Sequence, residues 1–299
     1  VRSERDTYGA SSDASSVAKP VGSPRDLSDR YPMTERAFAL RQFDGYAREL
    51  LANLENGVLS SAQEEEHYAR MASSAVHQKL ERYCASFFQT IAADVDPIKA
   101  GGWTEFDWQV DLAGAALGAS NTTLEVLQTA VNSMRLSAHG KINAIYLSQQ
   151  TMERLQADPQ VLGRIVNGNN WAVGGGDSVA SASFVEQVLR DHLGFEEVVV
   201  ASGSRMAQNS GQTATSTYIW QDDRCWIGQA GEISMQIRGG SPRVLEGTGA
   251  FCGLYSKLFD THMGPEEKIG PQYFEVAVDS VFDAVSLIPT KGAVIHNLF

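Results

Sequence analysis

The chain has 299 residues, enough for one large domain or two ordinary ones, and 43% are hydrophobic, so it can bury a sizeable core. Its net charge of −12 argues against a surface that grips nucleic acid through clustered Lys and Arg, and no apolar run approaches the roughly 18 residues of a membrane span. Three cysteines, Cys84, Cys225 and Cys252, are odd in number and unevenly spaced, which fits reduced thiols in a cytosolic-type compartment and not a disulfide framework.

The chain opens on Val1, which removal of an initiator Met or of a longer leader would each produce, and no signal-peptide pattern follows. Residues 1–26 are small and polar and carry no periodicity, the composition of an extended arm. From Arg30 to Gly57 the chain mixes Arg, Glu, Phe and Tyr without a helical period. Phe38, Leu40 and Phe43 suggest a short alternating strand, while Asp44-Gly45 and Asn56-Gly57 read as turns. An extended, hairpin-like excursion is expected.

Residues 61–93 predict one long amphipathic helix. Tyr68, Ala72, Val76, Leu80, Tyr83, Phe87 and Ile91 recur three or four apart and so share a face. Ser61 and Glu64 have the spacing of a capping box, and Glu64, Glu65 and Glu66 complement the helix dipole. Pro97 and Gly101-Gly102 then break the chain, and Trp103, Phe106 and Trp108 would anchor a loop over 104–112 to the core. A helix is predicted over 123–138 from Leu124, Leu127, Val131 and Met134, started by Thr122 with Glu125 and stopped by Gly140. A buried strand over 142–147 leads to Ser148, the cap of a short helix that ends before Pro159.

Residues 167–177 have the composition of a loop. Ser183 with Glu186 opens another helix, closed by Gly194, and 197–201 is a strand. Residues 215–220 and 224–229 alternate around Asp222-Asp223 as a hairpin, 233–237 is a further short strand, and 239–253 reads as irregular. Residues 273–288 are strand-like, with Phe274, Val276 and Val278 alternating with polar or small neighbours, and break near Asp283 before an apolar tail. Helices and strands joined by short connections indicate an α+β or α/β chain.

No catalytic, cofactor-binding or metal-binding residues emerge. Gly174-Gly175-Gly176 lacks the Lys and Ser/Thr of a phosphate-cradling loop, and no G-x-S-x-G elbow exists. His67 and His77 lie on one helix without the i, i+4 spacing of a metal pair. Asp222-Asp223 and Asp94/Asp96 sit in turn contexts, where Asp is expected without a catalytic role.

The order of parts resembles the major capsid proteins of tailed bacteriophages, the Hong Kong 97-like fold. The local match runs through NTTLEVLQTAVNSMRLSAHGKINAIYLSQQTMERLQADPQVLGRIV (121–166). There Asn143 to Ser148 stands for a strand of N-x-L-V-L-S type, and Leu155 to Pro159 for the L-x-x-D-P end of a short helix. A second match is FVEQVLRDHLGFEEVVVASGSRMAQNSGQTATSTYIWQDDRCWIG (184–228), a helix, a glycine, a V-V-V strand and a Y-I-W segment. Residues 239–260 depart from the pattern.

The resemblance implies an α+β capsid fold divided into an N-terminal arm (1–29), an extended loop (30–57), a peripheral domain (58–114 and 263–299, with spine helix 61–93) and an axial domain (115–262). It implies no catalysis and no cofactor. Arg30, Glu35, Arg36, Phe38, Arg41, Phe43, Arg48 and Glu49 would form an assembly interface with neighbouring copies, the charges serving register. Expected partners are the chain itself in hexamers and pentamers, a portal, a scaffolding protein, a decoration protein, and double-stranded DNA enclosed without sequence-specific contacts, with no membrane. The place would be the virion capsid, assembled in the host cytoplasm. Some members of the fold join neighbours by Lys–Asn isopeptide bonds from the extended loop. Here no lysine lies between Pro20 and Gln78, so no such bond is expected. An encapsulin-like compartment is the alternative within the fold, disfavoured by the polar start, and a cytosolic α/β enzyme is the alternative outside it.

Overall fold

The computed structural model describes residues 38–50, 61–119, 121–138, 141–167, 179–206, 216–231, 243–244, 249–266 and 273–299. The expectations for residues 1–37, which include Arg30, Glu35 and Arg36, lie outside these. So do the Asn56-Gly57 turn, the side chains of Ser61, Glu64, Arg48 and Glu49, the Gly140 stop, the glycine loop at 168–178 and the strand at 233–237.

Strand β1 (Arg41–Leu50) precedes helix α1 (Ser61–Gln89). At 29 residues α1 is about 43 Å long. It buries Ala72, Val76, Tyr83 and Phe87, the face its period predicts. It stops at Gln89, four residues short of the predicted end, because local side chains take over the backbone. Asp94 Oδ2 accepts the Ile91 N–H at 2.9 Å, and Ser86 Oγ accepts the Lys99 N–H at 3.1 Å, folding the chain back on the last turn.

The centre is a five-stranded mixed sheet built from β2 (Thr104–Asp107), β3 (Ala144–Ser148), β4 (Glu197–Ala201), β7 (Cys225–Gly228) and β11 (Gly292–His296), in the order β2-β11-β7-β3-β4. The outer pairs β11/β2 and β3/β4 are parallel, and β7 runs antiparallel to both of its neighbours. Alternation divides its side chains between two cores. Ile145, Leu147, Cys225, Ile227, Ala293 and Ile295 face a helical layer. That layer holds α2 (Thr123–Ala138), α3 (Gln149–Gln156), α4 (Pro159–Asn167) and α5 (Ala182–Val188), the last continued by a π-helical turn, Leu189–Leu193. Ala144, Tyr146, Trp226 and Val294 face the other way, onto Tyr83, Phe87 and Phe88 of α1 with Trp103, Trp220 and Phe282. The result is a mixed α+β architecture in which one sheet is covered on both faces.

Local chemistry places the helices. Ser148 Oγ accepts the Thr151 N–H at 3.0 Å and caps α3 as predicted. Ser181, and not Ser183, caps α5, accepting the Phe184 N–H at 3.3 Å, so the helix begins earlier than its apolar period suggests. Gly194 ends the π turn at φ +77°, a left-handed conformation suited to glycine.

A second sheet, antiparallel throughout, has the order β1-β10-β9-β8, with β8 (Arg243–Val244), β9 (Phe251–Glu266) and β10 (Tyr273–Ser286). The remaining strands, β5 (Ser204–Met206) and β6 (Ser216–Tyr218), form a two-stranded ribbon.

Several expectations need correction. Asp44-Gly45 is not a turn but the middle of β1, where Asp44 pairs with Asp279 and Gly45 with Val278. Among the described residues the partner of this strand is β10, more than two hundred residues away, and the rest of the expected excursion lies outside the described residues. Asp222-Asp223 does turn the chain, yet the strands flanking it do not pair with each other. Strand β6 pairs with β5, and β7 enters the central sheet. Part of the stretch read as irregular is the start of the 16-residue strand β9, and the apolar tail supplies the buried strand β11.

Candidate assembly interface

Strand β1 lies at the edge of the second sheet and is bonded through β10 alone among the described residues. One of its faces packs on α1. Gly45 and Ala47 are buried, and Phe43 packs against Ala72, Val76 and Val278. Gly45 is required here: a Cβ would come within 2.2 Å of the Ala72 carbonyl oxygen. The opposite face, with Gln42, Asp44 and Tyr46, is exposed, Tyr46 to 64%.

The entry to β1 is fixed by one buried carboxylate. Asp283, on β10, has no exposed surface. Its Oδ2 accepts the Ala39 N–H at 2.9 Å, and its Oδ1 accepts both the Tyr83 hydroxyl at 2.5 Å and the Lys99 ammonium at 3.0 Å. Three donors from separate segments satisfy a charge that would be costly if buried alone. Burial raises the Tyr83 phenol pKa well above its ordinary value, and its hydrogen bond to Asp283 adds to that. The phenol therefore remains the donor.

The predicted interface residues divide as follows. Phe38 packs with Leu40 against Cys252, Leu254, Val285 and Leu287. Phe43 meets the Tyr83 ring edge-on at 5.3 Å, and the Arg41 guanidinium lies over the same ring at 5.4 Å while donating to the Ile98 carbonyl at 3.1 Å. These three converge on the chain's own core and hold the base of β1. Arg48 and Glu49 continue the strand, opposite Glu275 and Phe274. The residues that sequence reasoning missed are Gln42 and Tyr46 on the exposed face, and Tyr83, Lys99 and Asp283 beneath it. The break in alternation at Asp283 was the available signal for the last.

Lys79, the first lysine after Lys19, is already engaged. It donates to the Asp44 carbonyl at 2.5 Å, and its ammonium is 3.6 Å from the Asp44 carboxylate. The far end of α1 is fixed to the central sheet. The Gln89 amide exchanges hydrogen bonds with the backbone of Gln221 and Arg224, at 2.8–3.1 Å. Arg224 closes a two-pronged ion pair on Asp94, at 2.6 and 2.9 Å. Among the described residues, no group of three or more His, Cys, Asp or Glu is placed to hold a metal ion. No helix of the described residues is long and apolar enough to cross a membrane.

No protein-family model matches the chain, and no curated protein matches it. Solved structures similar to it include a phage-related protein from Bordetella bronchiseptica, at 13% identity over 87% of this chain and 77% of that one, with a TM-score of 0.48. The capsid of Myoviridae phage XM1 is similar at 11% identity, covering 87% and 74% of the two chains, with a TM-score of 0.46. An encapsulin complex from Synechococcus elongatus is similar at 13% identity, covering 90% and 77%, with a TM-score of 0.44.

Proposed function

We propose that this chain is the coat subunit of a closed icosahedral shell, the head of a tailed bacteriophage enclosing double-stranded DNA. The observation that carries the proposal is the open edge of β1, ten residues long and bonded on one side only among the described residues. A long edge with free N–H and C=O groups is a hazard for a solitary protein and a template for one built to meet other chains. The side chains at its base grip the chain's own core, so the strand is held rigidly for a partner to use. The sequence resemblance through 121–166 and 184–228 supplies the kind of assembly.

On this basis the parts take roles. Residues 30–57, with Arg30, Glu35, Arg36, Phe38, Arg41, Phe43, Arg48 and Glu49, would lie over a neighbouring copy. Phe38, Arg41 and Phe43 would brace the strand, and Arg48 and Glu49 would set register. The peripheral domain is assigned to 58–114 and 263–299 and the axial domain to 115–262, joined through the central sheet. Copies would form hexamers and pentamers with a portal, scaffolding and decoration proteins as further partners, in the virion, after assembly in the host cytoplasm. The net charge of −12 suits a wall that encloses DNA without gripping it. The chain itself would perform no catalysis.

Size-exclusion of the purified full chain tests the proposal. Elution as capsomers or far larger particles supports it, and a small oligomer at every concentration and salt overturns it. The contents of purified shells, nucleic acid or enzyme cargo, separate a phage head from an encapsulin-like compartment.

A further inference from the structure

Helix α1 packs on the face of β1 that carries Phe43 and Gly45, whereas the Asp44 side chain belongs to the opposite, exposed face, because side chains alternate along a strand. Lys79 comes from α1 and yet reaches across. Its ammonium donates to the Asp44 carbonyl at 2.5 Å and lies 3.6 Å from the Asp44 carboxylate. Strands β1 and β10 are paired without a gap from Arg41 opposite Phe282 to Leu50 opposite Tyr273. Paired strands are only about 4.8 Å apart, so no side chain passes between them. The lysine therefore comes round the outer edge of β1, the side on which no other strand lies among the described residues. It crosses that edge near the middle of the ten-residue strand.

A lysine laid over an exposed edge is one way in which proteins stop a further strand from adding there. Here the Asp44 carbonyl is taken, and the lysine stem lies where the backbone of an added strand would run. The hold is also weak. The Lys79 side chain is 50% exposed and that of Asp44 60%, so water and salt screen the pair. A contact of this kind covers the edge and can still be displaced.

We infer that Lys79 is a removable cap on the β1 edge, which keeps a free subunit from pairing until a strand of another copy displaces it. A backbone N–H of the incoming strand takes over the Asp44 carbonyl, and the ammonium turns to solvent. The cap regulates the edge that the shell reading uses, and it rests on that reading. Its effect is to raise the concentration at which free copies begin to join. Addition to an existing ring, where several contacts form together, is thereby favoured over chance pairing of two free subunits.

The test is the assembly threshold of the full chain, the protein concentration at which light scattering first rises. Wild type is compared with Lys79→Ala and Lys79→Arg. Position 79 is exposed on a helix, and alanine and arginine are both good helix formers, so both variants should fold, which melting of unassembled chain checks. Lys79→Ala should lower the threshold by about two- to fivefold, the range for loss of an exposed ion pair, and Lys79→Arg should leave it near wild type. The sign separates a cap from bulk charge. Taking a positive charge from a chain at −12 increases repulsion between copies and would by itself raise the threshold. A threshold for Lys79→Ala equal to or above that of wild type overturns the cap. An equal fall in Lys79→Arg overturns it too, as does amorphous aggregate in place of the particles that wild type forms. If Lys79→Ala fails to fold, Lys79→Gln is read in its place, with the same expected fall and the same overturning results. Wild-type particles with an unmoved threshold sink the cap alone, whereas no particles from wild type or any variant, at any concentration, would sink the shell reading.

Discussion

The Tyr83 hydroxyl donates to the Asp283 carboxylate at 2.5 Å, across 200 residues of sequence. This bond ties the long helix to the strand on which β1 is laid. Lys99 and the Ala39 N–H complete the same carboxylate, so four segments meet at one buried charge. Tyr83→Phe should lower stability by about 1.5–3 kcal/mol, the range for a hydrogen bond to a charged group. Asp283→Ala should cost more, about 3–5 kcal/mol, because it leaves the Lys99 ammonium, 25% exposed, without its counter-charge. Denaturant midpoints of the free chain measure both, and wild-type midpoints in both variants would contradict the role given to Asp283.

Gly45 makes the contact between β1 and α1 possible. Gly45→Ala should destabilise by about 1–3 kcal/mol, since the added carbon meets the backbone of Ala72 and not a movable side chain. Hydrogen exchange should quicken first at the β1 amides. Unchanged protection there would mean that the strand is not pressed on the helix.

Asp94 gives a pH dependence of known sign. Its hydrogen bond with Arg224 is the largest influence and holds its carboxyl below the ordinary carboxylate range. A carboxyl depressed in the folded state contributes stability that is fully present above its unfolded pKa, about 3.9, and is lost as pH falls through the folded value. The difference in melting temperature between wild type and Asp94→Asn should therefore be full near pH 7 and shrink below about pH 4. A constant difference down to that acid range would contradict the ion pair.

Neighbouring copies should not be joined covalently through the segment before α1. No lysine lies between Pro20 and Gln78, and the amine of Lys79 is held by Asp44. Mature particles boiled in detergent should run as a single band near 32.4 kDa on a denaturing gel, and a ladder of multiples would overturn this prediction.

Helices were legible because their signals are local. The three-to-four spacing from Ala72 to Phe87 marks the buried face of α1, and Ser148 before a short apolar period marks the start of α3. Strand partners were not, since pairing is decided by residues far apart. The Gly45 that reads as a turn is there for close approach to a helix, a requirement visible only once Ala72 is in place. Residues 293–296 pair with 104–107 and with part of 225–228, so nothing nearby distinguishes that strand from an apolar tail. Strand β9 is hidden by Gly253, Lys257 and Asp260, and its exposed outer residues lack the alternation of a half-buried strand. For the candidate interface, sequence composition singled out a region but not what each side chain in it touches. Phe38 and Phe43 read as contacts for a neighbour, and within the chain they pack into its own core, while Tyr46 stands on the exposed face of the strand.

Electron microscopy of the purified full chain tests the central claim most directly. The account predicts closed, hollow shells of uniform diameter, or rings of five and six copies that convert to them. A field of single particles no larger than a 32.4 kDa monomer or small oligomer, at any concentration tried, would contradict it.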